Sequence, residues 1–344
     1  MRYLITGGTG FIGSNLARAV LGAGGDLTVF DNLRRHGSER NLAWLRSLGA
    51  FRFLHGDVRN PDDVDRAVRE VRPDVVFHLA GQVAMTTSLD NPRLDFETNV
   101  GGGFNVLEAV RRHAPGAVLT YSSSNKVYGA LAGVAYEEAP TRWVAKGWEQ
   151  GFDESLPLDF RTPYGCSKGA VDQYFLDWAR MYGLRTVVFR HSSVFGGRQY
   201  ATYDQGWVGW FTGCALEIAA NRATEPFTIS GDGKQVRDLL HVDDLVSCYF
   251  AAVEHADAAR GRAFNVGGGP DNAMSLLELF AFLEDELGIE MRFRRLPERP
   301  EDQRVFVSDT RAARAAFGWA PSVGREEGVR RTIAWCRECG REGG

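Results

Sequence analysis

The chain has 344 residues, 44% hydrophobic and 24% charged, an ordinary globular composition with room for one large domain or two modest ones. A formal charge of −4 offers no basic surface for nucleic acid, and no apolar stretch approaches the length needed to cross a membrane. Five scattered cysteines suit a reducing cytoplasm; Cys336-x-x-Cys339 is half of a zinc or redox pattern whose other half is missing, so no metal site is expected.

Arg2-Tyr3-Leu4-Ile5 is a short apolar run suited to a buried parallel strand, and it leaves no room for a signal peptide before it. Gly7-Gly8-Thr9-Gly10-Phe11-Ile12-Gly13 follows, and Phe11, Leu16, Ala19 and Val20 then recur at helical spacing. The glycines therefore lie at a strand-to-helix turn. Missing side chains there let backbone N–H groups and the helix N-terminus approach a pyrophosphate. A second strand, Leu27-Thr28-Val29-Phe30, ends at Asp31, where a carboxylate can bind adenosine ribose hydroxyls and repel a 2′-phosphate. NAD is thus favoured over NADP, although Arg34 and Arg35 are of the kind that accept a 2′-phosphate.

Residues 51–55, 75–79 and 118–121 read as further buried strands, separated by helices near 61–71 and 93–113. The segment 130–163 carries Tyr136, Trp143, Trp148 and Phe152, too many aromatics for a solvated linker, and reads as a partly ordered flap beside the active site. A helix over 164–182 and a strand over 186–189 follow. This alternation predicts an α/β fold, a doubly wound parallel Rossmann sheet with ligands beyond the carboxyl ends of its strands. From about 192 the pattern is less regular. A cofactor-binding domain over 1–192 and a smaller C-terminal α/β substrate-binding domain over 193–344 are expected, with about 235–268 partly returning to the main sheet.

Tyr164 and Lys168, four apart at the start of a helix, share a face. A tyrosine with its usual pKa of about 10 is a poor base, but an ammonium and a positive nicotinamide ring beside it favour phenolate. A surface Tyr–Lys pair would look the same in isolation. What adds weight is Tyr121-Ser122-Ser123-Ser124-Asn125-Lys126-Val127-Tyr128-Gly129, which runs off a strand end where a serine hydroxyl can hydrogen-bond a substrate oxygen.

With these motifs the chain resembles, nearly end to end, the extended short-chain dehydrogenase/reductase family of nucleotide-sugar epimerases and dehydratases. The resemblance implies that Ser124 assists, Tyr164 is the base and Lys168 its helper. It implies an NAD site from Gly7, Gly10, Phe11, Ile12, Gly13, Asp31, Asn32, Asp57, Val58, Leu79, Ala80, Gln82, Asn99, Tyr164, Lys168 and His191. Ser124, Asn125, Arg198, Gln199, Gln205, Gly206, Trp207, Val208, Arg237 and Arg299 would bind the substrate, the last two through its diphosphate. A homodimer or homotetramer built on the helices near 93–113 and 164–182 is also implied.

Sugar 4,6-dehydratases of this family carry an Asp-Glu pair after the serine/threonine, where this chain has Asn125-Lys126; elimination then has no evident acid or base. Within the family, the runs 81–88, 124–129, 164–168 and above all 197–210 are similar to enzymes that invert carbon 2 of a CDP-activated sugar. The resemblance so implies a CDP-sugar substrate and a transient 2-keto intermediate. A UDP-hexose 4-epimerase is the alternative, and a non-catalytic NAD sensor, which has no need of Ser124, Tyr164 and Lys168, a remote one.

Overall fold

Along each central strand neighbouring apolar residues point to opposite sides, so one parallel sheet collects helices on both faces. The computed structural model describes residues 1–223 and 225–341. The first half-winding comprises β1 Arg2–Thr6, α1 Phe11–Gly22, β2 Asp26–Asp31, α2 Ser38–Leu48, β3 Arg52–His55, α3 Pro61–Val71 and β4 Val75–His78. Helices α4 Met85–Asp90, α5 Pro92–Phe96 and α6 Gly102–His113 lead to β5 Val118–Ser124. A π-helical turn, Glu97–Gly101, joins α5 to α6 and interrupts the single helix expected there.

After β5 come a 3-10 turn Asn125–Tyr128, a hairpin of β6 Tyr136–Glu138 and β7 Trp143–Ala145, then α7 Thr162–Met181 and β8 Arg185–His191. The remainder supplies β9 Ser193–Phe195, α8 Trp207–Ala219, β10 Phe227–Ser230, β11 Val236–His241, α9 Val242–Glu254, α10 Ala256–Ala259 and β12 Arg262–Val266. It ends with β13 Ala273–Ser275, α11 Leu276–Leu287, β14 Phe293–Leu296, β15 Val305–Phe306, α12 Arg311–Phe317 and α13 Arg325–Arg341.

The main sheet runs β3-β2-β1-β4-β5-β8-β12, all parallel. Its order reverses between β1 and β4, the crevice in which doubly wound sheets take their ligands. Ile5, Val29, Phe77, Phe189 and Phe264 face Leu16, Val20, Leu245, Tyr249 and Phe317 on one side. Leu4, Val76, Leu119 and Val188 face Val68, Val106, Val110, Val171 and Phe175 on the other. A second core, with Val208, Phe211, Leu279, Phe280, Met291 and Ile333, belongs to the C-terminal lobe.

Of residues 235–268, β12 joins the main sheet and α9 packs on it, whereas β11 pairs with β9, β13 and β15 in the smaller lobe. One sequence expectation needs correction here. The 130–163 segment is not a flap over the site. Its Leu131, Ala145 and Phe152 are buried with Val236 and Phe306, and its residues line neither of the two site cavities described below. The aromatics that marked it as ordered fasten it to the C-terminal lobe.

A buried ion pair joins α7 to the strands of the main sheet. Arg190 on β8 donates from Nε and Nη2 to the two carboxylate oxygens of Asp172 on α7, each at 2.9 Å, with side chains 5% and 0% exposed. Ser123 Oγ of β5 donates to Asp172 (2.8 Å), Arg190 Nη1 donates to Tyr128 Oη (2.9 Å), and Tyr128 Oη donates to Asn265 of β12 (2.8 Å). Removing one partner strands the other charge in a desolvated core. Asp172→Ala is expected to lower unfolding stability by about 3–5 kcal/mol, measured by urea denaturation of the NAD-loaded protein.

Candidate active site

The strand-to-helix turn after β1 is shaped by close approach of backbone to backbone. Gly7 has φ +70°, and a Cβ there would stand 2.6 Å from Ala80 N; one on Gly13 would stand 2.2 Å from the Gly7 carbonyl oxygen. Only hydrogen fits, so the turn stays tight and α1, which starts without a side-chain cap, aims its first N–H groups into the crevice. Gly7, Gly10, Phe11, Ile12, Gly13, Asp31, Asn32, Val58, Leu79, Ala80 and Gln82 line the resulting cavity of about 360 Å³. Asp31 is fixed at its far end by Thr9 N (3.0 Å) and Leu33 N (2.8 Å).

Several expected cofactor residues act from behind this lining. Asn99 is buried, accepts from Gln82 N (2.9 Å) and donates to Gln82 O (3.1 Å), so it holds Gln82 in place. The Asp57 carboxylate accepts from Arg59 and from Asn32 Nδ2 (3.0 Å); the Arg59 hydrogen bond holds it well below the usual carboxylate range. The ring of His191, expected beside the nicotinamide, is buried between Ser122 Oγ (3.2 Å) and Tyr249 Oη (3.3 Å). Burial lowers the His191 pKa to about 3, so the imidazole is neutral.

A second cavity of about 240 Å³ opens between the lobes, lined by Asn125, Gln205, Gly206, Trp207, Arg237 and Arg299 among others. Gln205 lines both cavities. Arg198 and Gln199, expected with the substrate residues, instead line the cofactor cavity, because the positive φ at Arg198 (+71°) turns the chain toward α2 and its guanidinium lies 4.1 Å from the Trp44 ring. Val208 is also corrected: at 1% exposure it belongs to the core of the C-terminal lobe. Arg35, also in the cofactor-cavity lining, donates to Gln205 Oε1 and to Thr202 Oγ1 (3.4 Å).

Ser124, at the end of β5, stands near Tyr164 at the start of α7 and acts to lower its pKa; Ser124 Oγ itself donates to Asn125 Oδ1 (3.3 Å). Lys168 lies one turn further along α7, donates to the Ser122 carbonyl and stands 4.6 Å from the Tyr121 ring. Burial pushes the Tyr164 phenol up to about 12, opposed by the Ser124 hydrogen bond and reinforced by Asp95. Burial also brings the Lys168 ammonium down to about 8, against the fields of Asp95 and Asp172. In the protein alone desolvation dominates at Tyr164, and the Lys168 ammonium is turned to the Ser122 carbonyl.

Ser192 and Ser193 also line the second cavity, with Trp207 Nε1 donating to Ser193 Oγ at 3.0 Å. Gln303 donates to the carbonyls of Asn125 (3.2 Å) and Gly129 (2.8 Å) and accepts from Asn125 Nδ2 (3.1 Å), which anchors the turn after β5. Arg299-Pro300-Glu301-Asp302 was legible as a motif for its arginine; the role of Asp302 needed the fold.

The profile described as the NAD dependent epimerase/dehydratase family matches residues 3–267. The chain is also 57% identical over 335 residues to CDP-paratose 2-epimerase of Salmonella typhi, covering 97% of this chain and 99% of that one. It belongs to the NAD dependent epimerase/dehydratase family. A UDP-glucose 4-epimerase of Mycolicibacterium smegmatis is 32% identical, covering 98% of this chain and 99% of its own. Among solved structures, the Thermus thermophilus UDP-glucose 4-epimerase complex with NAD superposes with a TM-score of 0.79 at 30% identity, over 98% of this chain and 99% of that one.

NAD, the cofactor of this epimerase/dehydratase family, fits the first cavity: a side-chain-free turn faces the pyrophosphate position, and a fixed Asp31 faces the ribose position. Gly13→Ala, which forces a methyl against the Gly7 carbonyl, is expected to lower the NAD content of purified protein at least about tenfold. Absorbance of cofactor released on denaturation measures it.

Proposed function

We propose that this enzyme inverts carbon 2 of a CDP-activated hexose, CDP-paratose to CDP-tyvelose or a close relative, through a transient 2-keto sugar. The observation that carries the reading is the near-full-length 57% identity to CDP-paratose 2-epimerase in a chain whose Ser124, Tyr164 and Lys168 are brought together. NAD, when bound, supplies the hydride acceptor and donor. Tyr164 takes the proton of the 2-hydroxyl and later returns it to the same oxygen, with Ser124 hydrogen-bonded beside it. Lys168 carries the positive charge that favours phenolate, and the cofactor's ring adds a second. Arg237 and Arg299 hold the diphosphate while the sugar presents its other face.

Elimination of water is disfavoured in this cavity. Asn125 has its amide taken by Gln303, and the nearby carboxylate, Asp302, is tied to Lys126 and Arg237 and held well below the usual carboxylate range, a poor base. The UDP-hexose 4-epimerase reading is supported by relatives at about 30% identity, against 57% for CDP-paratose 2-epimerase. We also propose a homodimer through α6 and α7, where Phe104, Tyr174, Met181 and Tyr182 are exposed apolar residues in one region, and a cytoplasmic setting, on the odd cysteine count.

Incubation with CDP-paratose in deuterium oxide, without added cofactor, is expected to invert carbon 2 with no deuterium incorporated there, read by proton NMR. Deuterium at carbon 2 overturns hydride return; turnover of UDP-hexoses at carbon 4 alone moves the substrate. The rate should also fall as pH rises through about 8, since the depressed Lys168 pKa means its ammonium is lost there. A pH profile of kcat checks this, and Lys168→Arg, charged throughout, is expected to abolish that falling limb at reduced activity.

A further inference from the structure

The turn after β5 puts a lysine where a cation has an unusual set of neighbours. Lys126 Nζ donates to Asp302 Oδ1 at 2.8 Å, and Arg237 Nη2 donates to the same oxygen at 2.7 Å. Arg299 acts on both Lys126 and Asp302 through its field, and all four residues line the substrate cavity. Three cations thus share one carboxylate. The other acid of the lining, Asp204, is engaged elsewhere, accepting from Thr202 (2.7 Å) and Thr87 (3.1 Å) and lying in the field of Arg35. The Lys126 side chain is 18% exposed and Asp302 30%, so these charges are only weakly hydrated.

An excess of positive charge in a partly desolvated cavity costs free energy until an anion neutralises it. Three cations less one carboxylate leave two positive charges, which match the two negative charges of a diphosphate diester. The two arginines already suit the diphosphate, and Lys126 meets Arg237 at the same Asp302 oxygen. Lys126 is two residues past Ser124, whose Oγ accepts from Lys126 N at 3.2 Å. Its ammonium is therefore the cation of the three tied by chain to the redox centre, where the phosphate bearing the sugar must come.

We propose that Lys126 binds the sugar-bearing phosphate of the substrate, with Asp302 as the positioning residue that holds Lys126 and Arg237 to one point. The proposal rests on the nucleotide-sugar reading above and adds a residue to it. Lys126 then anchors the point about which the sugar turns between the two hydride transfers. Asp302 orients the cation without neutralising it, because Arg237 claims the same oxygen.

The test is calorimetric titration of NAD-loaded wild type and Lys126→Met with CMP and with CDP. Met keeps the aliphatic stem, and Arg237 still pairs Asp302, so the fold has no new buried charge without a partner. Lys126→Met is expected to weaken CDP binding about tenfold to a hundredfold, as for one lost charged hydrogen bond. CMP binding and NAD content should change less than about twofold, and Lys126→Arg should restore most of the CDP affinity. Equal losses for CMP and CDP, or no loss for either, overturn the proposal, as does a loss seen only with the intact CDP-sugar. Should wild type bind UMP and UDP instead of the cytidine nucleotides, the base assignment fails and the same comparison with UMP and UDP decides Lys126.

Discussion

The Arg190–Asp172 pair is the constraint on which the catalytic geometry depends. Asp172 sits one helical turn beyond Lys168 on α7, Arg190 closes β8, and Ser123 precedes Ser124 on β5. A bidentate guanidinium–carboxylate contact has a narrow range of angles, so it fixes the helix against both strand ends. The same network continues through Tyr128 and Asn265 to the Phe152 carbonyl (2.9 Å), binding the segment after β7 to β12. Buried charge is a poor source of stability, but here its directionality sets where Tyr164 and Ser124 meet.

Around that point the chain builds two cavities. The cofactor side presents a side-chain-free glycine turn and Asp31, held by two backbone amides. The substrate side presents Lys126, Arg237 and Arg299, with Asp302 shared between Lys126 and Arg237. Gln205 lines both cavities and accepts from Arg35, itself part of the cofactor-cavity lining.

Burial sets the protonation of the site more strongly than pairing does. It drives Tyr164 up to about 12 and Lys168 down to about 8, each toward its neutral form, and keeps His78 and His191 at about 3. At neutral pH this leaves Tyr164 as the phenol and Lys168 still largely an ammonium.

Local pattern determined the sheet: the runs at 2–5, 27–30, 75–79 and 118–121 are apolar on both faces and so could only be buried parallel strands, and glycine spacing marked the cofactor turn. It also determined the residue types at Ser124, Tyr164 and Lys168, because their spacing on one strand end and one helix face is a property of the backbone. What it left open depends on contacts between distant segments. Whether 130–163 covers the site or packs on the C-terminal lobe was decided by Phe152 meeting Phe306, and the side of the crevice reached by Arg198 by its contact with Trp44. That Ser122 and Tyr249 hold the His191 ring was likewise settled by the fold. The cation cluster on Asp302 joins residues 126, 237 and 302, which no window of sequence holds together; only folding brings their charges within range, where Coulomb attraction and desolvation decide what each can bind.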